Sequence, residues 1–142
     1  MTRVTYNFSI EGVNWEALKA TLKADDFDNG RTPEQYRLSA ENSYLNCFAY
    51  AEGTIIGNLR VLSDKVGNAY IVDVWTLSAY RKRGVATRMM ELAMEKLDGQ
   101  HVYLFTDDDK IGFYQKLGFA EQGVGLYKIV GQYLVNATRR VD

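Results

Sequence analysis

The segment "AYIVDVWTLSAYRKRGVATRMM", Ala69 to Met90, decides how this chain folds. Its first part, Ala69 to Leu77, is β-branched and aromatic, which predicts a central strand. Its last part opens a helix from Gly84 to Leu97, because Val85, Met89, Leu92, Ala93 and Leu97 recur on one face. Between the two lie Arg81, Lys82 and Arg83, with Arg88 just beyond Gly84. A helix N-terminus exposes unpaired N–H groups and a positive partial charge. Cations placed there oppose the dipole at about 0.3–1 kcal/mol each. Gly84 lacks a Cβ, so a ligand can approach the backbone closely, and Ala86 and Thr87 keep the first turn slim. Two readings follow from the residues alone: a cradle for a phosphate or pyrophosphate, or a solvated basic face. The common phosphate fingerprints G-x-x-x-x-G-K-[ST] and G-x-G-x-x-G are both absent.

Working outward, the pattern predicts β-α-α-β-β-β-α-β-α-β. Val4 to Ile10 alternates as a strand. Trp15 to Lys23 has helical spacing at Trp15, Leu18 and Leu22. "TPEQ" starts a second helix, with Thr32 as N-cap, Pro33 at the first helical position and Gln35 completing a capping box. Tyr44–Ala51 and Thr54–Leu62 form a hairpin across "EG". After the Gly84 helix come a strand at "HVYLFT", a short helix from Lys110 to Leu117 stopped by Gly118, and a last strand at "LYKIV", Leu126 to Val130. The β-α-β unit makes two strands parallel in an otherwise antiparallel sheet. With one proline, no repeat and no linker, 1–142 is expected to be a single mixed α/β domain.

The bulk numbers narrow the chemistry. A net charge of −1 gives no field for nucleic acid. No apolar run approaches the roughly 18 residues of a membrane span, and "MTRVTYNFSI" lacks a signal-peptide core. One cysteine, Cys47, and one histidine, His101, leave no internal disulfide, no thiol–metal cluster and no multi-histidine metal site, and disfavour a Ser-His-Asp device. A reduced, cytoplasmic setting is expected.

R-x-x-G-x-A at Arg81, Gly84 and Ala86, between a strand and a long helix, resembles the pyrophosphate loop of the GNAT superfamily of acetyl-CoA-dependent N-acyltransferases. "GFYQKLGF", Gly112 to Phe119, resembles the same superfamily's helix-then-"GF" signature one strand later. The resemblance covers roughly Ala51 to Val130; the first 45 residues are similar only in element order. It implies a central, mostly antiparallel sheet with a bulged strand splaying from its parallel neighbour, and flanking helices. It implies acetyl-CoA as acyl donor, with no metal. The pantetheine arm would bond to the backbone of Trp75, Thr76 and Leu77, and the pyrophosphate would rest on amides from Lys82 through Arg83, Gly84, Val85 and Ala86 to Thr87, beside Arg81. Asp107 departs from the pattern, standing where the family often has asparagine. Lys110 stands where a small residue is usual and is a candidate phosphate partner.

Acyl transfer to an amine needs a neutral amine, a polarised carbonyl, aligned reactants and a protonated or stabilised leaving thiolate. Tyr114 matches the family's thiolate-protonating position; as a residue it is equally a half-buried helix aromatic. Asp73 interrupts the apolar run "IVDVW" and asks for a reason, because a buried carboxylate is costly unless paired. It is a candidate base or ammonium anchor, or else a satisfied structural acid. A bulge N–H near Trp75 or Thr76 is the candidate carbonyl polariser. "DDFDNGR", Asp25 to Arg31, is either an acidic lid over the acceptor or a solvated loop; it is not an EF-hand, since Phe27 and Tyr36 fall at ligand positions. "DDD", Asp107 to Asp109, is expected to cap a helix. Cys47 and His101 are expected to be structural.

The expected activity is transfer of the acetyl group of acetyl-CoA to a primary amine by direct attack in a ternary complex, with a small-molecule acceptor favoured over protein. The rivals are a non-catalytic CoA-binding or regulatory module and a phosphate- or nucleic-acid-contacting domain; the charge balance argues against the last. No nucleic-acid or membrane partner is expected, and a homodimer through the aromatic C-terminal strand is an open alternative.

Overall fold

The computed structural model describes residues 2–28 and 30–130. β1 (Val4–Asn7), β2 (Leu45–Ala51), β3 (Thr54–Ser63), β4 (Asn68–Thr76) and β5 (His101–Leu104) form one sheet in sequence order. β1 to β4 pair antiparallel, and β4 pairs β5 in parallel. Helices α1 (Trp15–Ala24) and α2 (Pro33–Glu41) lie on one face of the sheet, packing over Phe48, Ile55 and Trp75. Helices α3 (Val85–Met94) and α4 (Ile111–Lys116) lie on the other, over Cys47, Ala49, Leu59, Val61 and Ile71. This is the mixed α/β arrangement that the sequence predicts.

Local chemistry explains most boundaries. α2 carries the full capping box: Thr32 Oγ1 accepts from the Gln35 amide and Gln35 Oε1 accepts from the Thr32 amide. α1 starts at Asn14, whose side chain accepts from Ala17 N. β1 stops at Asn7 rather than Ile10, because Asn7 Oδ1 takes the Ser9 amide and turns the chain away. α4 is shorter than expected, since Asp108–Lys110 forms a 3₁₀ turn first; Gly118 at φ 95° ends it. No carboxylate of "DDD" caps that turn; Asp107 contributes only its carbonyl, to the Lys110 amide.

"LYKIV" is the one expected strand that does not form. Residues 126–130 carry no strand pairing, and Leu126 and Val130 are exposed. β-propensity makes a strand only where a partner edge and a buried face are supplied, and this segment has neither among the described residues. No helix of the described residues is long and apolar enough to cross a membrane.

Two irregularities position the site. Arg60 pairs Asp73 while Val61 pairs Ile71, so Val72 is the extra residue of a bulge in β4. Before it, Ala69 and Ile71 point to the α3 side; after it, Val74 does, and Asp73 and Trp75 turn to the α1–α2 side. The bulge was expected near Trp75 or Thr76 and lies three to four positions earlier. The second feature is Gly57 on β3. A Cβ there would stand 3.1 Å from Ala49 Cβ and 3.2 Å from Met89 Cε and Val85 Cγ1. Glycine thus lets α3 sit close on the sheet, with its first turn over the end of β4. Gly57→Val overpacks this contact and is expected to lower stability by about 1–3 kcal/mol, read from the denaturant midpoint.

Candidate active site

β5 runs beside β4 only from Asn68 to Ile71. β4 continues to Thr76 without that neighbour, so the two parallel strands part and leave one side of the β4 backbone open. Leu77 donates its N–H to the Ile56 carbonyl on β3, whereas the Thr76 carbonyl accepts from Arg81 Nε on the opposite side. Strand backbone alternates, so Val74 and Thr76 present N–H and C=O to the gap, and Trp75 and Leu77 present theirs to β3. Of the three backbone contacts expected at Trp75, Thr76 and Leu77, only Thr76 faces the gap; Val74 takes the place of the other two. Thr76 Oγ1 is buried there without a hydrogen-bond partner.

The basic loop closes the wide end of the gap. Lys82 has φ 63° and Gly84 φ 80°, so the chain alternates through left-handed conformations. For lysine that costs free energy and marks a functional constraint. Gly84 is the N-cap of α3 but offers no side chain, and none of the amides from Lys82 to Thr87 donates to another described residue. A Cβ on Gly84 would meet nothing within 4 Å, so the space before these amides is open. Successive outward N–H groups at the positive end of a helix form an anion-binding concavity. Arg81 and Lys82 flank it, whereas Arg83 turns away, its guanidinium 5.3 Å from the Tyr80 ring centroid.

One cavity of about 1250 Å³ joins the pieces. At one end are Arg81, Lys82 and residues 84–87; Thr106, Asp107, Asp108 and Lys110 wall it from the other side. Asp73, Trp75, Thr76 and Tyr114 form its middle, and Lys19, Phe27, Asp28, Arg31 and Tyr36 form the far end, under α1 and α2. Leu77 and Arg83 are absent from this lining.

The sequence profile of the acetyltransferase (GNAT) family matches residues 12–119. The chain belongs to this family. Solved structures agree with the GNAT assignment. A Deinococcus radiodurans R1 protein assigned as an acetyltransferase is 25% identical, with TM-score 0.75 and 94% of each chain covered. Glucosamine-6-phosphate N-acetyltransferase of Arabidopsis thaliana shares the fold at 18% identity and TM-score 0.76, over 91% of this chain and 99% of that one. A transcriptional regulator of Bacillus halodurans C-125 is 26% identical at TM-score 0.69, over 90% and 100%. GNAT enzymes use acetyl-CoA as a substrate, and the open amides at α3, the orphaned Thr76 hydroxyl and the splayed strand pair fit its pyrophosphate and amide-bearing arm.

Within this GNAT site Tyr114 is 8% exposed, its ring edge-on to Phe113 and Phe119. Burial raises its pKa above the ordinary tyrosine value, and its hydroxyl makes no hydrogen bond with another described residue. Asp73 is held through Oδ2, 3.0 Å from Arg60 Nε and 3.8 Å from Arg31 Nη2; its Oδ1 is in no described hydrogen bond. The carboxylate whose cost posed the question is therefore paired. Trp75 is buried, and its indole N–H donates to Asp25 Oδ2 at 3.0 Å. Burial tends to raise the Asp25 pKa, but hydrogen bonds from Ser78 and Trp75, with Arg81 nearby, hold it below the usual value. Asp28 is 2.5 Å from Lys19 Nζ. Two of the aspartates of "DDFDNGR" thus latch the loop to β4 and α1 rather than standing free in solvent. Cys47 is fully buried with its pKa pushed up to about 12 by desolvation, so it is no nucleophile at neutral pH.

Sequence reasoning missed Lys19, Arg31, Tyr36 and Val74. Lys19 carried a signal: it falls within the apolar Trp15, Leu18, Leu22 stripe of α1, where a lysine needs a partner. Arg31 and Tyr36 had none, because the fold of the preceding loop brings them in.

Replacing Gly84 by Val strains the left-handed backbone and places a branched side chain before the amides. The expected result is at least a tenfold rise in KM for acetyl-CoA, with a stability loss of about 1–2 kcal/mol.

Proposed function

We propose that this protein transfers the acetyl group of acetyl-CoA to a primary amine of a small molecule, by direct attack within a ternary complex on one catalytic domain. The observation carrying this reading is that a single cavity connects the open amides of α3, the freed edge of β4, Tyr114, Asp73 and the space beneath α1 and α2. Acetyl-CoA lies along Val74 and Thr76 with its pyrophosphate on the amides of residues 82–87, and Arg81 and Lys82 compensate its charge. A gap-facing N–H of Val74 or Thr76 polarises the thioester carbonyl. The amine enters from the α1–α2 side. Asp73 Oδ1 accepts a hydrogen bond from the amine and draws off its proton, directly or through water, while the two arginines hold Oδ2 still. As the tetrahedral adduct collapses, the C–S bond breaks, and Tyr114 gives its proton to the departing sulfur; the phenol is protonated at neutral pH and burial reinforces that state. With Cys47 buried and protonated, nothing on the page favours an acyl-enzyme.

Free thiol released from acetyl-CoA, measured across an amine panel, tests the reading. Amine-dependent release with N-acetylated product is expected. CoA binding without turnover on any amine would support the rival non-catalytic module, and no CoA binding by calorimetry would overturn the reading.

A further inference from the structure

The far end of the cavity has an unusual charge composition. Lys19, Arg31 and Arg60 are 7%, 9% and 8% exposed, so three cationic side chains are sunk into one face of the sheet. Charged groups of this kind are seldom buried unless balanced. The carboxylates they meet are two, Asp28 on Lys19 and Asp73 between Arg60 and Arg31. Asp26 also reaches the lining but is exposed to water and enters no described ion pair. Among the described residues the buried cluster therefore carries one positive charge in excess. This is a count of charge, whatever hydrogen bonds each cation makes.

The cluster is also built. Lys19 Nζ and Arg31 Cζ stand 5.2 and 5.1 Å from the centroid of the Tyr36 ring. Tyr36 is fixed by its hydroxyl, which donates to Asn58 Oδ1 at 2.8 Å, and Arg31 is further tied to Ser39 Oγ at 3.0 Å. Lys19 and Arg31 both line the cavity, on the same side of β4 as Asp73. Ordering two cations around one ring fixes them before any ligand arrives, which lowers the cost of binding an anion.

Resting on the acetyl-transfer reading above, we propose that the acceptor is an amine bearing an anionic group, a carboxylate or a phosphate. Lys19 and Arg31 bind that group, and the amine end reaches Asp73. The enclosed aspartates do not select a cationic acceptor, because Asp28 and Asp73 are each already engaged by the chain's own cations.

The test compares matched acceptors: 4-aminobutyrate against butylamine, and O-phosphoethanolamine against ethanolamine. The acid-bearing member is expected to have the higher kcat/KM in at least one pair, by roughly 10- to 100-fold, as for a charge-assisted hydrogen bond gained or lost. The pair with the larger ratio names the anionic group. Lys19→Gln and Arg31→Gln are each expected to bring that ratio toward one, and two separate positions keep the test intact if one variant fails to fold. Ratios at or below one in both pairs, or a ratio that neither variant moves, would overturn the proposal. If no amine is turned over, calorimetric titration of O-phosphoethanolamine and 4-aminobutyrate against their neutral partners, with and without saturating CoA, decides instead. Preference for an acid-bearing member supports the anion site, and no preference overturns it. Failure of the acetyl-transfer reading is separate: it shows as no thiol release from any amine.

Discussion

Tyr114→Phe is expected to lower kcat by about 10²–10³-fold while leaving KM for acetyl-CoA and the melting temperature nearly unchanged. The change deletes one oxygen. The ring keeps its edge contacts with Phe113 at 4.9 Å and Phe119 at 6.0 Å between centroids. Because the hydroxyl bonds no other described residue, its loss strands no partner, and stability has little reason to move. What disappears is the proton donor for the leaving thiolate. The pH profile provides a second reading. Burial raises the tyrosine pKa, so the acid form survives through its ordinary value of about 10. Wild-type kcat should therefore show no fall from tyrosine ionisation up to about pH 10, and a decline only above it. A kcat within threefold of wild type in Tyr114→Phe would remove this residue from the mechanism.

Asp73→Asn has the larger expected effect on stability. The amide matches the carboxylate in size but not in charge, and leaves Arg60 and Arg31 without the oxygen that holds them at 3.0 and 3.8 Å. Removing one partner of a buried pair costs about 3–5 kcal/mol in well-enclosed cases; with 17% of the Asp73 side chain exposed, about 2–4 kcal/mol is expected here. That corresponds to a fall in Tm of roughly 5–15 °C. Pairing Asp73→Leu with Arg60→Met should recover part of the loss, since replacing both partners removes the stranded charge. An unchanged Tm in Asp73→Asn would show the ion pair to be energetically idle. Activity answers a separate question. If Asp73 receives the amine or its proton, kcat/KM for the amine falls about 10²-fold with acetyl-CoA affinity retained; equal kcat/KM would leave Asp73 a structural acid only.

How much was legible follows from which features are local. The capping box of α2 needs only Thr32, Pro33 and Gln35, and it forms as read. The loop at Arg81–Thr87 was legible because its physics lies in the sequence itself, with a glycine, small residues and cations gathered where a strand meets a helix. "LYKIV" misled, because a strand exists only with an edge to pair, and propensity says nothing about the edge. Asp73 was legible as an anomaly but not as a solution. Its partners come from residue 60 on the next strand and residue 31 after α1, and neither distance along the chain announces a contact.

The sequence by itself determined the element order, the mixed sheet and the anion-binding loop, since these depend on periodicity, caps and glycine placement within a few residues. Tertiary structure alone decided which face each site residue occupies. The bulge at Val72 is a mismatch between two strands, and it turns Asp73 and Trp75 away from the face that Ala69 and Ile71 occupy. It is also tertiary packing that sinks Lys19, Arg31 and Arg60 around Tyr36 and gives the cavity its positive end. Register and burial are set by pairing across the whole sheet, and no short window of sequence contains them.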